Sequence, residues 1–147
     1  MQEEEKRFKV RSASYIFIIE NNKILLQKRA GTNFMCGYYG TPAGHLEKGE
    51  GAVNCAIREL KEETGLITKR EDLELKFVLN RVSGEEEYID FFFISKKYSG
   101  IPKIMEPSKC DDLRFFDLNN LPENIIPYIK DVLENIKNGI IFSEIGY

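Results

Sequence analysis

The sequence lacks tryptophan and contains one histidine and three cysteines in 147 residues. The cysteines are odd in number and form no CxxC pair (Cys36, Cys55, Cys110), so reduced thiols are predicted rather than a disulfide framework. A single histidine excludes a histidine-rich zinc site. The chain also lacks an apolar run of about 18 residues, which a membrane helix requires. Its start, MQEEEKRFKVR, lacks the apolar core of a signal peptide. We therefore expect a cytoplasmic protein that does not contact membranes.

An excess of positive charge is absent as well. Lysine and arginine total 21, whereas aspartate and glutamate total 24, which leaves a net charge of −3. Nucleic-acid binding needs a basic surface, so no nucleic-acid partner is expected. The composition is 42% hydrophobic and 31% charged, which is typical of a globular protein. The length suits one domain over residues 1–147.

Apolar runs bounded by turn residues predict five strands. They span residues 14–19, 23–28, 74–81, 88–95 and 112–117. Asn21-Asn22 joins the first two strands as a hairpin, and Gly84–Glu87 forms the turn before the fourth. The Phe91–Ile94 run indicates burial on both faces. The apolar tail 140–142 is expected to pack on the core.

Two segments have helix periodicity. In residues 52–64 an apolar stripe recurs every three or four positions, and Gly65 suits a left-handed C-terminal cap. The stripe consists of Val53, Ala56, Ile57 and Leu60. Residues 127–137 form a second amphipathic pattern that ends at Gly139. Because several strands precede and follow the first helix, the order predicts an α+β fold with helices against a mixed sheet.

Three glutamates crowd the end of the first predicted helix: Glu59, Glu62 and Glu63. At about 100° per residue, Glu59 and Glu63 flank the buried stripe, where repulsion is stronger than on an open surface. A solvated face neutralised by Arg58 and Lys61 is the ordinary interpretation, but both cations are poorly placed for pairing. Mg²⁺ takes hard oxygen ligands, usually one or two carboxylates with waters and substrate phosphates. The crowding therefore favours a divalent-cation site.

The glutamates belong to a longer pattern that begins at Gly44 and ends at Leu66. Its fixed positions are Gly44, Glu50, Arg58-Glu59-Leu60, Glu62-Glu63 and Gly65-Leu66. This spacing resembles the complete Nudix box, G-x5-E-x7-R-E-U-x-E-E-x-G-U, in which U is aliphatic. Further stretches resemble the same family: residues 24–29, 41–43, 114–117 and 121–122.

The resemblance implies an α/β/α sandwich with a mixed sheet, in which the box forms a loop–helix–loop. It also implies a MutT-like hydrolase that acts on a nucleoside diphosphate linked to another moiety and uses Mg²⁺ or Mn²⁺. The implied metal ligands are the Gly44 carbonyl, Glu59, Glu62 and Glu63. The implied catalytic residues are Glu50, Arg58, Glu62 and Glu63. The resemblance implies that Arg58 and Glu50 form a pair that bridges the helix to the loop and orients the other carboxylates. The general base is left open between Glu62 or Glu63 and the trio Glu85–Glu87, which is otherwise a solvated turn.

Substrate contacts are expected mainly outside the box. The candidates are Arg29, Tyr39, His45 and Asn124. An aromatic residue of loop 32–39 could stack on a base or belong to the core. Asn124 could read a purine edge or cap the last helix. Asp111 and Asp112 have no assigned role.

The predicted activity is hydrolysis of a nucleoside triphosphate, including oxidised ones, to the monophosphate and pyrophosphate. Alternative substrates are ADP-ribose, a nucleotide sugar or a dinucleoside polyphosphate. A non-catalytic nucleotide-binding module is a further alternative, which the intact box disfavours. Isoprenoid isomerisation, which occurs on related folds, is disfavoured for want of a candidate nucleophilic cysteine. The expected partners are a small nucleotide and, by analogy alone, a second copy in a homodimer.

Overall fold

The computed structural model describes residues 6–147. In chain order the elements are β1 (Arg11–Glu20), β2 (Lys23–Arg29), β3 (Tyr39–Gly40), β4 (Ala43–His45), α1 (Ala52–Thr64), a 3-10 turn (Arg70–Asp72), β5 (Leu73–Ser83), β6 (Glu86–Ser95), β7 (Cys110–Asp117), α2 (Pro127–Lys137) and β8 (Phe142–Ile145). Both helices have the predicted bounds, and each predicted strand is present with longer ends. β3, β4 and β8 have no counterpart in the prediction, because two to four residues carry too little periodicity.

β1 and β2 form the predicted hairpin, in which Glu20 pairs with Lys23. Asn21 and Asn22 hold the turn at φ angles of 52° and 60°. Asparagine tolerates this left-handed region better than most residues. Two such residues in succession make the type I′ turn that matches the twist of a hairpin, so the prediction is confirmed.

Eight strands of residues 6–147 form a mixed sheet. β1 runs parallel to β6 and β5 runs parallel to β8, whereas the remaining pairs are antiparallel. β1 is buried on both faces. Tyr15 and Phe17 belong to the core that includes α2, whereas Ile16 and Ile18 belong to the core that includes α1. The sheet therefore lies between the helices, which confirms the mixed-sheet α+β fold.

The aromatic run of β6 is divided between the same two cores. Phe92 packs on the α2 side and Phe93 on the α1 side, as the sequence predicted. At the end of α1, Gly65 has a φ of 76°, and its N–H donates to the Lys61 carbonyl. This is the predicted left-handed cap, and it turns the chain back toward the sheet.

The C-terminal tail pairs with the sheet but does not fill the core. Residues 142–145 run parallel to β5 as β8. Ile140, Ile141 and Phe142 are 44%, 73% and 49% exposed. The prediction that they pack on the core is wrong, because the backbone of the tail bonds to the sheet edge while these side chains stay in solvent. Within residues 6–147, no helix is long and apolar enough to cross a membrane.

Candidate active site

α1 packs against β1 and β4, and this contact sets the position of the box glutamates. The Ser14 hydroxyl on β1 donates a 2.7 Å hydrogen bond to the Ala52 carbonyl at the start of the helix. Gly44 on β4 lies against the Glu59 side chain, and a β-carbon at position 44 would stand 2.1 Å from Glu59 Oε1. Any larger residue would displace this carboxylate, which explains the glycine that opens the box.

Arg58 is the centre of an ion-pair network. Its Nε and Nη2 atoms donate to the two carboxylate oxygens of Glu50 at 2.7 and 3.0 Å. Its Nη1 atom donates to Glu59 at 2.8 Å and to Glu62 at 3.2 Å, and Nη2 reaches the His45 carbonyl at 3.2 Å. The hydrogen bonds from Arg58 lower the pKa of Glu50 to about 2. The prediction that Arg58 is poorly placed to pair along the helix is wrong, because its Nη1 atom reaches both Glu59 and Glu62. Its bond to Glu50 is the bridge between helix and loop that the resemblance implies.

Glu63 has no cationic partner among the described residues. Its two oxygens accept hydrogen bonds from the Gln27 amide at 2.8 Å and the Ala43 N–H at 3.0 Å. Burial raises the pKa of Glu63 to about 8, and the neighbouring charge of Glu59 adds to the effect. Burial also raises the pKa of Glu59. The two carboxyl groups are neighbours, so the charge of one disfavours ionisation of the other.

The donors at this pair fit a hard divalent cation, although the three box glutamates do not gather at one point. The Glu62 side chain is 52% exposed and bonds to Arg58. Within residues 6–147, no group of three or more His, Cys, Asp or Glu side chains is close enough to hold an ion. Glu59 and Glu63 both border one cavity beside Gly44. Two carboxylates completed by waters and substrate phosphates are a usual set for Mg²⁺.

Two cavities share a wall next to the carboxylate pair. The carboxylate cavity, of about 490 Å³, is also bordered by Arg58, Glu106, Lys109 and Cys110. The aromatic cavity, of about 470 Å³, is bordered by Tyr15, Phe34, Arg81, Tyr88 and Tyr128. The residues common to both walls are Gln27, Arg29, Ala43, Gly44 and His45. A ligand that spans both cavities would therefore cross this shared wall, which includes Gly44.

Two of the four predicted substrate-binding residues reach these cavities. Arg29 and His45 border both of them. Tyr39 is 6% exposed and borders neither. Its hydroxyl donates to the Asp112 carboxylate, and its ring meets Phe116 edge-on at 4.9 Å. The structure thus places Tyr39 in the core.

Asn124 lies outside both cavities too. Its amide donates a 2.9 Å hydrogen bond to the Gly37 carbonyl, which ties loop 32–39 to the segment before α2. α2 follows Ile126 and has no side-chain cap. The interpretation of Asn124 as a helix cap is therefore wrong, because the side chain is committed to the loop.

In each of the two remaining groups of candidates, the aromatic residues of loop 32–39 and the glutamates 85–87, one residue borders the aromatic cavity. Of the aromatic residues in loop 32–39, Phe34 borders the aromatic cavity, where its ring centre lies 5.4 Å from the Arg29 guanidinium carbon. Of the trio 85–87, Glu86 borders the cavity, whereas Glu87 accepts a hydrogen bond from Tyr147.

Sequence reasoning missed several residues that border the cavities. They are Tyr15, Gln27, Arg81, Tyr88, Glu106 and Tyr128. Only Arg81 carried a usable signal: on β5 it occupies the inward position that follows Phe77 and Leu79 in the alternation. An arginine in an apolar alternation needs a buried partner, but the sequence does not show which residue provides it.

The chain is similar in sequence and in structure to known proteins. Residues 9–136 match the model of the NUDIX domain. The chain is 36% identical over 124 residues to a Methanocaldococcus jannaschii protein named ADP-ribose pyrophosphatase, covering 83% of this chain and 72% of that one. It is 30% identical over 144 residues to an isopentenyl-diphosphate Delta-isomerase of Cereibacter sphaeroides, covering 82% and 77%. A solved MutT NUDIX hydrolase from Burkholderia pseudomallei superposes with a TM-score of 0.80 at 26% identity, over 86% of this chain and 98% of that one.

The chain therefore belongs to the NUDIX family. The predicted fold is confirmed by the superposition, and the predicted enzyme class, a Nudix pyrophosphohydrolase, is confirmed at the level of the family.

Proposed function

We propose, from this family membership and the site geometry, that the protein hydrolyses nucleoside triphosphates to the monophosphate and pyrophosphate. The observation that carries the proposal is the Glu59–Glu63 pair, held beside Gly44, which lies in the wall shared by the two cavities. The carboxylate cavity supplies oxygen ligands next to the phosphates, and the aromatic cavity supplies walls for a nucleoside. Water attacks one phosphorus atom and the bond to its bridging oxygen breaks, so that pyrophosphate and the monophosphate separate.

Glu59, Glu63 and the Gly44 carbonyl are the groups that would hold Mg²⁺ or Mn²⁺. A cation bound there neutralises phosphate charge and activates water. Gln27 and the Ala43 N–H fix the Glu63 carboxylate, and Arg58 fixes that of Glu59. Because each carboxylate is oriented by a hydrogen bond before substrate arrives, little reorganisation is needed during the reaction.

Several charged groups at the cavities are candidates to meet the phosphates and the attacking water. Arg29 borders both cavities, and Lys109 borders the carboxylate cavity, so these cations can pair with phosphate oxygens. Glu62 has the exposed carboxylate of the box and is available as a third ligand or as the base. Glu86 and Glu106 are the candidate bases outside the box, since each borders one of the cavities.

ADP-ribose is the second candidate substrate. The 36% identity to the M. jannaschii protein named ADP-ribose pyrophosphatase favours it, and its diphosphate linkage would engage the same carboxylates. Isoprenoid isomerisation is not proposed, although one relative is named for it. Burial raises the pKa of Cys55 to about 11 and also raises that of Cys110, whereas a reactive cysteine needs a lowered pKa.

A substrate panel with product identification tests the proposal. It contains nucleoside triphosphates with ordinary and oxidised bases, ADP-ribose, a nucleotide sugar, a dinucleoside polyphosphate and isopentenyl diphosphate, each with Mg²⁺. We expect the triphosphates to be turned over fastest and to release pyrophosphate. Faster turnover of ADP-ribose would favour the second candidate. Release of inorganic phosphate from triphosphates, or no hydrolysis of any compound, would contradict the proposal.

A further inference from the structure

A wall of the aromatic cavity carries a buried arginine that the proposed hydrolysis does not use. Arg81 is 8% exposed and borders the cavity. Its Nε atom donates to the Asp90 carboxylate at 2.5 Å, and its Nη2 atom donates to the Tyr15 hydroxyl at 3.2 Å. Arginine has five N–H donors, and the other three have no hydrogen-bond partner within residues 6–147. These donors are available to a ligand in the cavity.

Tyrosine rings surround the Arg81 guanidinium. Its central carbon lies 4.0 Å from the centre of the Tyr88 ring and 4.8 Å from that of Tyr128. The Tyr128 hydroxyl is fixed in turn by a 2.7 Å hydrogen bond with that of Tyr15. The rings shield the guanidinium from water, so its N–H edge is the part that can meet a ligand. Tyr88 also stacks on His45 at 5.8 Å, which connects this wall to the carboxylate cavity.

The local charge argues against a phosphate at Arg81. Asp90 is completely buried and accepts the 2.5 Å hydrogen bond from Arg81 Nε, so this ion pair leaves little net positive charge for a ligand. A phosphate would lose its hydration among tyrosine rings without meeting net positive charge. A neutral ring with carbonyl or ring-nitrogen acceptors loses far less on desolvation and satisfies the free donors.

We infer that Arg81 reads the nucleobase of the substrate and that the enzyme prefers bases with adjacent acceptor atoms, above all guanine. This inference rests on the proposed function and names its substrate class. Guanine presents O6 and N7 together, which is the pair that an arginine fork binds. Adenine places an amino donor beside N7, so the same fork meets a donor and is disfavoured. Phe34, which is 41% exposed at the cavity wall, offers a ring for stacking.

Kinetics of base discrimination test the inference. We expect the wild type to hydrolyse GTP with a kcat/KM roughly tenfold or more above that for ATP, the scale of one bidentate base contact. Arg81→Met should bring this ratio close to one. It should also lower kcat/KM for GTP about tenfold more than that for ribose 5-triphosphate, which has no base. A retained GTP preference, or equal losses on GTP and ribose 5-triphosphate, would overturn the inference.

Arg114→Met is the matched control. Like Arg81, Arg114 lies over an aromatic ring, with its guanidinium carbon 4.7 Å from the centre of the Phe116 ring. It also bonds to an aspartate, Asp112, and to a tyrosine, Tyr39. It borders neither cavity, so its replacement should leave the GTP-to-ATP ratio unchanged. If Arg81→Met does not fold, as judged by circular dichroism, Tyr88→Leu removes the ring that shields Arg81 and should reduce the same ratio.

Nucleoside binding separates this inference from the proposed hydrolysis. Guanosine, which has no phosphate, should shift the NMR signals of the Tyr88 and Tyr128 rings in the wild type but not in Arg81→Met. If no nucleotide is hydrolysed but these shifts occur, the proposed function fails and the base site stands. If GTP is hydrolysed but guanosine causes no shift that depends on Arg81, the base site fails and the proposed function stands.

Discussion

Arg58 and Arg81 each organise one end of the site, but their partners are distributed differently along the chain. Arg58 pairs with carboxylates within eleven positions of itself. Arg81 bonds to Asp90, nine positions away, and to Tyr15, 66 positions away. The Arg58 cluster, formed by Arg58 and its carboxylate partners, comes from one loop and one helix. The Arg81 cluster, formed by Arg81 with Asp90 and the tyrosines, exists only when β1, β5, β6 and α2 are assembled.

The two clusters also differ in charge and hydration. Arg58 lies among several carboxylates, with a side chain 24% exposed, so its surroundings remain acidic and suit a cation. Arg81 is paired with one buried carboxylate and covered by tyrosine rings, with a side chain 10% exposed. The comparison indicates that the reaction is encoded locally in the box, while selection of the substrate depends on the tertiary structure.

The largest effect is expected from Glu63→Gln. The substitution removes one carboxylate of the pair, so turnover at saturating Mg²⁺ should fall at least about a hundredfold. The loss should be equal for GTP and ATP, because Glu63 belongs to the Arg58 end of the site. Steady-state kinetics measure both quantities, with Glu134→Gln on the exposed face of α2 as the control. A loss below about fivefold would exclude Glu63 as a ligand. A loss that differs between GTP and ATP would show that the Arg58 end of the site also affects the choice of base.

A smaller effect is expected from Arg58→Lys. Lysine keeps the charge but cannot bond to both oxygens of Glu50, so the box carboxylates lose their orientation. We expect kcat/KM to fall about 10- to 100-fold, again equally for GTP and ATP. NMR titration should show the pKa of Glu50 rising from about 2 toward its usual range. A variant with full activity and an unchanged Glu50 pKa would show that the network does not position the site.

The smallest of these effects is expected from Gly44→Ala. The new methyl group would collide with Glu59 Oε1 and displace that carboxylate, which should lower turnover roughly tenfold or more. Gly51→Ala is the matched control, because Gly51 has a φ of −83° and open space where the β-carbon would be. Equal turnover in the two variants would show that the close contact between Gly44 and the Glu59 carboxylate is not needed for activity.

Local patterns made part of this structure predictable. The bounds of α1 and α2 followed from apolar periodicity and from Gly65, Pro127 and Gly139, all of which act within one or two turns of helix. The Asn21-Asn22 hairpin is equally local. The tail was misjudged because hydrophobic character alone does not distinguish a buried segment from an edge strand such as β8, whose pairing is made by the backbone.

Site contacts between residues that are distant in the sequence were not predicted. Resemblance to the box identified the glutamates, Arg58 and the pairing of Arg58 with Glu50, but not the contacts of Glu63 with Gln27 and the Ala43 N–H. Tyr39 was a candidate for stacking on a base and Asn124 for reading a purine edge, but both side chains form structural hydrogen bonds. The sequence showed Arg81 as an arginine in an apolar alternation but not as a site residue, because its contacts with Tyr15 and Tyr128 join distant parts of the chain.

Paramagnetic broadening by Mn²⁺ tests the assignment of the cation site most directly. Mn²⁺ at substoichiometric amounts should broaden the NMR amide signals of Gly44, Glu59 and Glu63 before those of Arg81 and Asp90, and Glu63→Gln should raise the Mn²⁺ concentration required. Broadening that begins at Asp90, or that is spread evenly over the acidic surface, would contradict the assignment of the Glu59–Glu63 pair as the cation site.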